Sequence, residues 1–282
     1  MWRALGLPGL IDLHVHFLPH NVMAKVWAYF DAVGPLTGRP WPIHYREDEA
    51  ARLERLRALG VLAFPSLVYP HKPAMAAWLN DWAADFATGH DDVLQTATFF
   101  PEESASSYVA KALDAGAQLF KAHVQVGAYD PRDPLLKPVW GLLAEAGVPV
   151  VVHCGNGPAP GTFTGPEVFA EVLAAHPALT AVVAHMGMPD YAAFLDLAES
   201  YPRVHLDTTM AFTPWAEQIV PFPVGLRSRL ADLGDRVVLG SDFPNIPYGY
   251  HEQIAGLMRL DLGDEWLRAV LHDNAALLVE RG

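Results

Sequence analysis

The chain has 282 residues, of which 51% are hydrophobic and only 18% charged, enough apolar surface for a large core and too little charge for a disordered chain. A formal net charge of -13 sets the surface against phosphate backbones and anionic lipid, so neither nucleic acid nor a membrane is an expected partner. The one cysteine, Cys154, excludes an internal disulfide, the first residues do not read as a signal peptide, and no apolar run approaches the roughly 20 residues that cross a bilayer; a cytoplasmic protein acting on a small molecule is expected, with a homo-oligomer allowed for.

The pattern alternates strand-like and helical segments, the signature of a parallel sheet covered by helices. Eight strands are predicted, near residues 9 to 15, 60 to 67, 93 to 99, 117 to 124, 148 to 153, 179 to 185, 203 to 208 and 236 to 241. The first is followed by residues 17 to 45, a long stretch rich in proline and aromatics, among them Trp27, Tyr29, Phe30, Trp41 and Tyr45. It reads as a lid-like loop insertion over the barrel mouth whose aromatics wall a substrate pocket or pack on a second subunit, with a small local core as the alternative. Helical spacing then appears at Ala50, Leu53, Leu56 and Leu59, and later at Val168, Val172 and Ala175. Gly60, Gly116 and Gly147 stand where helix gives way to strand. A second proline-rich segment, from Phe212 to Val224, follows the seventh strand and is expected to border the same mouth. The length suits one domain over residues 1 to 282, and an α/β barrel of eight strands is the simplest closure.

Four of these runs end in metal-ligand side chains: His14 and His16, His153, His185, and Asp242. In a barrel the carboxyl ends of the strands meet at one mouth, so residues this far apart in sequence can surround one ion. His14 and His16 are two apart and share a face. With His153 and Asp242 they make a set of three imidazoles and one carboxylate, which suits zinc better than manganese or iron. By the same alternation Lys121 and His123 share the barrel interior, whereas Asp12 points away from the His14 and His16 face and reads as a structural carboxylate. Asp207 can orient a metal histidine or cap its loop. Cys154 faces away from His153, and no base stands beside it to make it a nucleophile.

The segments Ile11-Asp12-Leu13-His14-Val15-His16, Phe120-Lys121-Ala122-His123, Val151-Val152-His153-Cys154-Gly155, Ala184-His185-Met186-Gly187, Leu239-Gly240-Ser241-Asp242-Phe243-Pro244 and Asn274-Ala275-Ala276 together resemble the amidohydrolase superfamily, in particular its amidohydrolase-related branch with the aminocarboxymuconate-semialdehyde decarboxylase-like enzymes. The resemblance implies a distorted (β/α)8 barrel with one catalytic divalent ion on His14, His16, His153 and Asp242, and His185 beside the reacting group. It also implies activation of water, with Asp242 taking the proton and His185 polarising a carbonyl. The expected reaction is hydrolysis of an amide, ester or lactone in a small, carboxylated substrate held by Lys121, His123 and Arg132. Lysine carbamylation, known on the fourth strand of other superfamily branches, is not expected in this one. Non-oxidative decarboxylation is the alternative reaction, and a catalytically silent metal-binding barrel the third reading.

Overall fold

The computed structural model describes residues 2–280. Its sheet is built from β1 (Leu10–Ile11), β2 (Val61–Pro65), β3 (Val93–Leu94), β4 (Thr96–Thr98), β5 (Leu119–His123), β6 (Val150–His153), β7 (Ala181–Val183), β8 (Val204–Asp207) and β9 (Val237–Val238). Each pairs in parallel with its neighbour in sequence, except that β3 and β4 follow one another with only Gln95 between them. These two are halves of the single strand expected at 93 to 99, so all eight predicted strands are present. The ladders form one group of three strands and one of six. The first and last strands meet where the amides of Leu13, Asp242 and His16 donate to the carbonyls of Leu239 (2.9 Å), His14 (2.8 Å) and Phe243 (2.8 Å). A parallel bridge from Val15 to Phe243 lies at the same seam. The architecture is a distorted (β/α)8 barrel.

Alternation along the strands sorts the core into two layers. Ile11, Leu119, Val151, Val182 and Val238 cluster together in the barrel interior with Ala275 and Leu278 of the last helix, Asn274–Glu280. Their neighbours Leu10, Phe120, Val150, Val152, Ala181, Val183 and Val237 belong to the larger cluster that packs the covering helices. Lys121 and His123 lie two and four residues beyond interior Leu119, and His153 two beyond Val151. The site is therefore built on top of a packed apolar plug. Asn274, in the last matched motif, has a structural part: its amide donates to the carbonyls of Gly234 (2.7 Å) and Val237 (2.8 Å), tying this helix to β9.

Two expectations need correction. The stretch from 17 to 45 is not a plain loop, since it contains a 13-residue helix, His20–Ala32, and a short one, Gly34–Thr37. Helix His20–Ala32 buries only Met23, against Leu18, Val68, Met75, Leu79 and Ala83. Val22, Val26 and Trp27 pack only partly buried beside Met23 and the opposite face is exposed, which blurs the apolar periodicity by which a helix is read. The ladders also stop earlier than predicted, so His14, His16, His185 and Asp242 lie beyond the ends of β1, β7 and β9, with only the isolated Val15 to Phe243 bridge at the seam. His185 and Asp242 take left-handed backbone angles, with φ of 57° and 69°; these turns, not strand alternation, aim their side chains.

Candidate metal centre

His14, His16 and Asp242 are buried side by side, with ligand atoms all within 4.8 Å of one another. The Nδ1 of His14 donates to Asp207 Oδ2 at 2.8 Å, and that of His16 to the Leu67 carbonyl at 2.8 Å. Both rings are thereby fixed in the tautomer that presents an Nε2 lone pair. His16 Nε2 lies 3.0 Å from Asp242 Oδ1, and His14 Nε2 lies 3.8 Å from it. Lone pairs that face a carboxylate oxygen repel it unless a proton or a cation stands between them. Two imidazoles and one carboxylate arranged this way fit a divalent ion with a position left for water.

The supporting contacts hold this geometry. Asp207 accepts from His14 with one oxygen and from the amides of His185 (2.8 Å) and Thr209 (3.0 Å) with the other, so it both orients a ligand and caps the loop. Asp12 accepts from the amides of His14 and Ser241, each at 3.1 Å, and from the Tyr250 hydroxyl at 2.9 Å. It stitches the first strand to the turn that carries Asp242, as a structural carboxylate would. Gly240 allows the close approach: a Cβ there would lie 2.2 Å from Thr209 Oγ1, 2.9 Å from His14 Cβ and 3.1 Å from Asp207 Cγ.

Burial sets the charge states, because a low-dielectric site penalises ions. It drives His14 well below the ordinary histidine range, helped by Lys121, and it lowers His185 to about 4, helped by His14. His123 and His153 are likewise pushed down, by burial first and by neighbouring imidazoles next. Burial alone would raise Asp242, but the imidazoles of His16, His14 and His185 gathered around it outweigh burial and hold the carboxyl below its ordinary range. At neutral pH His14, His123, His153 and His185 are thus neutral imidazoles around the Asp242 carboxylate.

The remaining predicted residues are distributed unevenly. His153 is not in the converging group: its Nε2 bonds the Gly157 carbonyl at 2.9 Å, and its ring stands between His123 (4.1 Å, stacked) and His185 (4.7 Å). The ladder explains the stack, because His123 and His153 are register partners on β5 and β6. His185 lies 5.1 Å from His14, ring to ring, and faces the cavity. Lys121 is fully buried with Nζ 3.2 Å from His14 Nε2, and it does not line the cavity. Burial lowers its pKa to about 8, against the pull of Asp207 and Asp242. Arg132 does not join the site at all. Its guanidinium is on the surface, paired with Asp130 (2.9 Å) and Glu171 (2.8 Å).

Above the floor opens a cavity of about 1180 Å³. Helix His20–Ala32 lines it with Asn21, Val22, Lys25, Val26 and Tyr29, one face of the helix, and the second proline-rich segment adds Trp215, Ala216, Ile219 and Val220. The insertion at 17 to 45 therefore walls a pocket and also forms a small local core, two roles expected of it as alternatives. Tyr69 went unnoticed in the sequence although its ring packs on His16 (5.4 Å) and His123 (4.9 Å). The signal was its place just past the second strand, where the other strands carry their site residues.

The amidohydrolase family model matches residues 11–281, and the chain belongs to that family. No curated protein matches it. Among solved structures it is similar to an uncharacterised TIM-barrel protein from Bordetella bronchiseptica, with a TM-score of 0.76 at 19% identity over 96% of this chain and 98% of the other. It is also similar to 5-carboxyvanillate decarboxylase from Sphingomonas paucimobilis (TM-score 0.69, 16% identity, 97% and 99% covered). A third is a probable 2-pyrone-4,6-dicarboxylic acid hydrolase from Acinetobacter baumannii (TM-score 0.65, 14% identity, 96% and 99% covered). At these identities the likeness is one of fold. Among the described residues no helix is long and apolar enough to cross a membrane.

Proposed function

We propose that this chain is a metal-dependent hydrolase that cleaves an amide, ester or lactone bond at the floor of the cavity. One observation carries the reading: His14 Nε2, His16 Nε2 and Asp242 converge while both Nδ1 hydrogens are committed elsewhere. The donor set of nitrogen and oxygen favours zinc, with His153 as the further ligand that the family resemblance implies. When bound, such an ion acidifies water toward neutrality and polarises a carbonyl.

The chain's own groups then divide the work. Asp242 stays ionised across the neutral range and is the proton acceptor at the floor. His185, neutral above about pH 4, donates a ring hydrogen bond to the carbonyl oxygen as charge develops there. Asp207 holds His14 in its tautomer. Tyr69 and His123 pack against these rings at the cavity floor and limit how they can turn.

Decarboxylation is the second reading, favoured by Lys121, a buried amine beside His14 whose charge at neutral pH would draw a carboxylate downward. Elemental analysis with a turnover screen decides. One zinc per chain and metal-restored cleavage of esters, amides or lactones supports the hydrolase; release of carbon dioxide from carboxylated aromatics without such cleavage replaces it. An ion that chelation removes only by unfolding the chain, with no reaction restored, would leave a structural role. His153→Ala should keep its zinc at reduced affinity, since three donors converge without it; complete loss would restore His153 to equal rank.

A further inference from the structure

We infer that the substrate is bulky and apolar: an acyl or aryl group fills the cavity above the floor, in place of a small polycarboxylate. The inference rests on the hydrolase reading for the bond that reacts, and on the cavity alone for the group attached to it.

The volume, about 1180 Å³, exceeds the roughly 300–1,000 Å³ of ordinary small-molecule sites. Its wall is apolar between floor and rim, made by Phe30, Trp41, Met188, Met210, Trp215 and Val220. The polar side chains in that wall already serve the protein. Gln125 Nε2 donates to the Ala159 carbonyl, Asn156 Nδ2 to Asp190 at 2.7 Å, and Asn245 Oδ1 accepts from Trp27 at 3.1 Å. Among the described lining residues there is no arginine, and Asp242 is the one carboxylate. Lys25 and Lys72 line the cavity only as exposed side chains at the rim. A carboxylate held partway up this wall would lose its hydration and meet no cation, which strongly disfavours a dicarboxylic acid.

The rim repeats the preference. Tyr29, Trp78, Val126 and Ile219 are 53%, 45%, 40% and 41% exposed, and all four face the cavity. Large apolar side chains left in water around one opening mark where an apolar ligand enters.

Calorimetric titration of the zinc-loaded wild-type protein with methyl ketones from butanone to 2-decanone tests this, since these probes are neutral and not hydrolysed. Affinity should rise roughly fourfold for each added methylene. Ile219→Asp and Val126→Asp, both at exposed rim positions, should each weaken 2-decanone about tenfold and butanone far less. Affinity that stays flat with chain length, or benzene-1,3-dicarboxylate binding more tightly than 2-decanone, overturns the inference. The titration reads no turnover. Steep length dependence without ester, amide or lactone cleavage removes only the hydrolase reading, whereas cleavage with flat length dependence removes only this one.

Discussion

The floor and the wall of the cavity are built by different rules. Floor residues are held from behind: His14 by Asp207, His16 by the Leu67 carbonyl, and the turn of Asp242 by Asp12 through Ser241. Wall aromatics hold one another chiefly by ring contact, as Trp41 does with Trp215 (4.5 Å) and Phe30 (5.2 Å), while a single indole hydrogen bond from Trp41 anchors it to the Asn245 carbonyl (2.7 Å). Hydrogen bonds fix direction and distance, whereas apolar packing fixes mainly shape and volume. The floor is suited to setting chemistry and the wall to selecting size.

That contrast predicts how substitutions divide. The largest effect belongs to His16→Ala and Asp242→Asn, each expected to lose at least about a hundredfold in turnover while the circular dichroism spectrum of the barrel persists. Full activity in either variant would end the assignment of the floor. Next is Asp207→Asn, which leaves His14 in place but loosens its tautomer; divalent-metal affinity, measured by competition with a fluorescent chelator, should fall about 10–100-fold. On the wall, Trp215→Ala should raise KM about tenfold for the bulkiest substrates while the metal content stays at its wild-type value. A loss of metal there would show that floor and wall are not separable.

The smallest expected effect lies behind the floor. Burial raises Asp12 from the ordinary 3.8 to about 7, so the folded chain holds a proton that the unfolded chain releases. This contribution is complete below pH 3.8 and is lost as pH rises through 7. Melting temperatures from pH 4 to 8 should therefore show wild type losing a few degrees relative to Asp12→Asn across that interval. A constant difference between the two would mean that Asp12 is ionised throughout.

Much of the floor was legible because strand alternation is a short-range rule. His14 and His16 share a side chain direction, Lys121 and His123 point inward, and Asp12 acts as a structural carboxylate, all as the period of two requires. Alternation failed where a side chain leaves the strand register or answers to a distant carbonyl. His153 sits at the expected strand end, yet its Nε2 is turned to Gly157, four residues on. Arg132 belongs to a surface ion-pair cluster with Asp130, two residues before it, and with Glu171 on the helix Pro166–Ala175.

The sequence by itself determined the eight-stranded order, the family, and which side chains stand at the strand ends, because periodicity and turn chemistry act over a few residues. Only the tertiary structure decided which of those side chains converge, how helix His20–Ala32 and the segment after β8 wall the cavity, and how large it is. Those properties depend on contacts between residues some two hundred positions apart, such as Trp27 to Asn245 and Trp41 to the Asn245 carbonyl, and closure of the barrel alone brings them together.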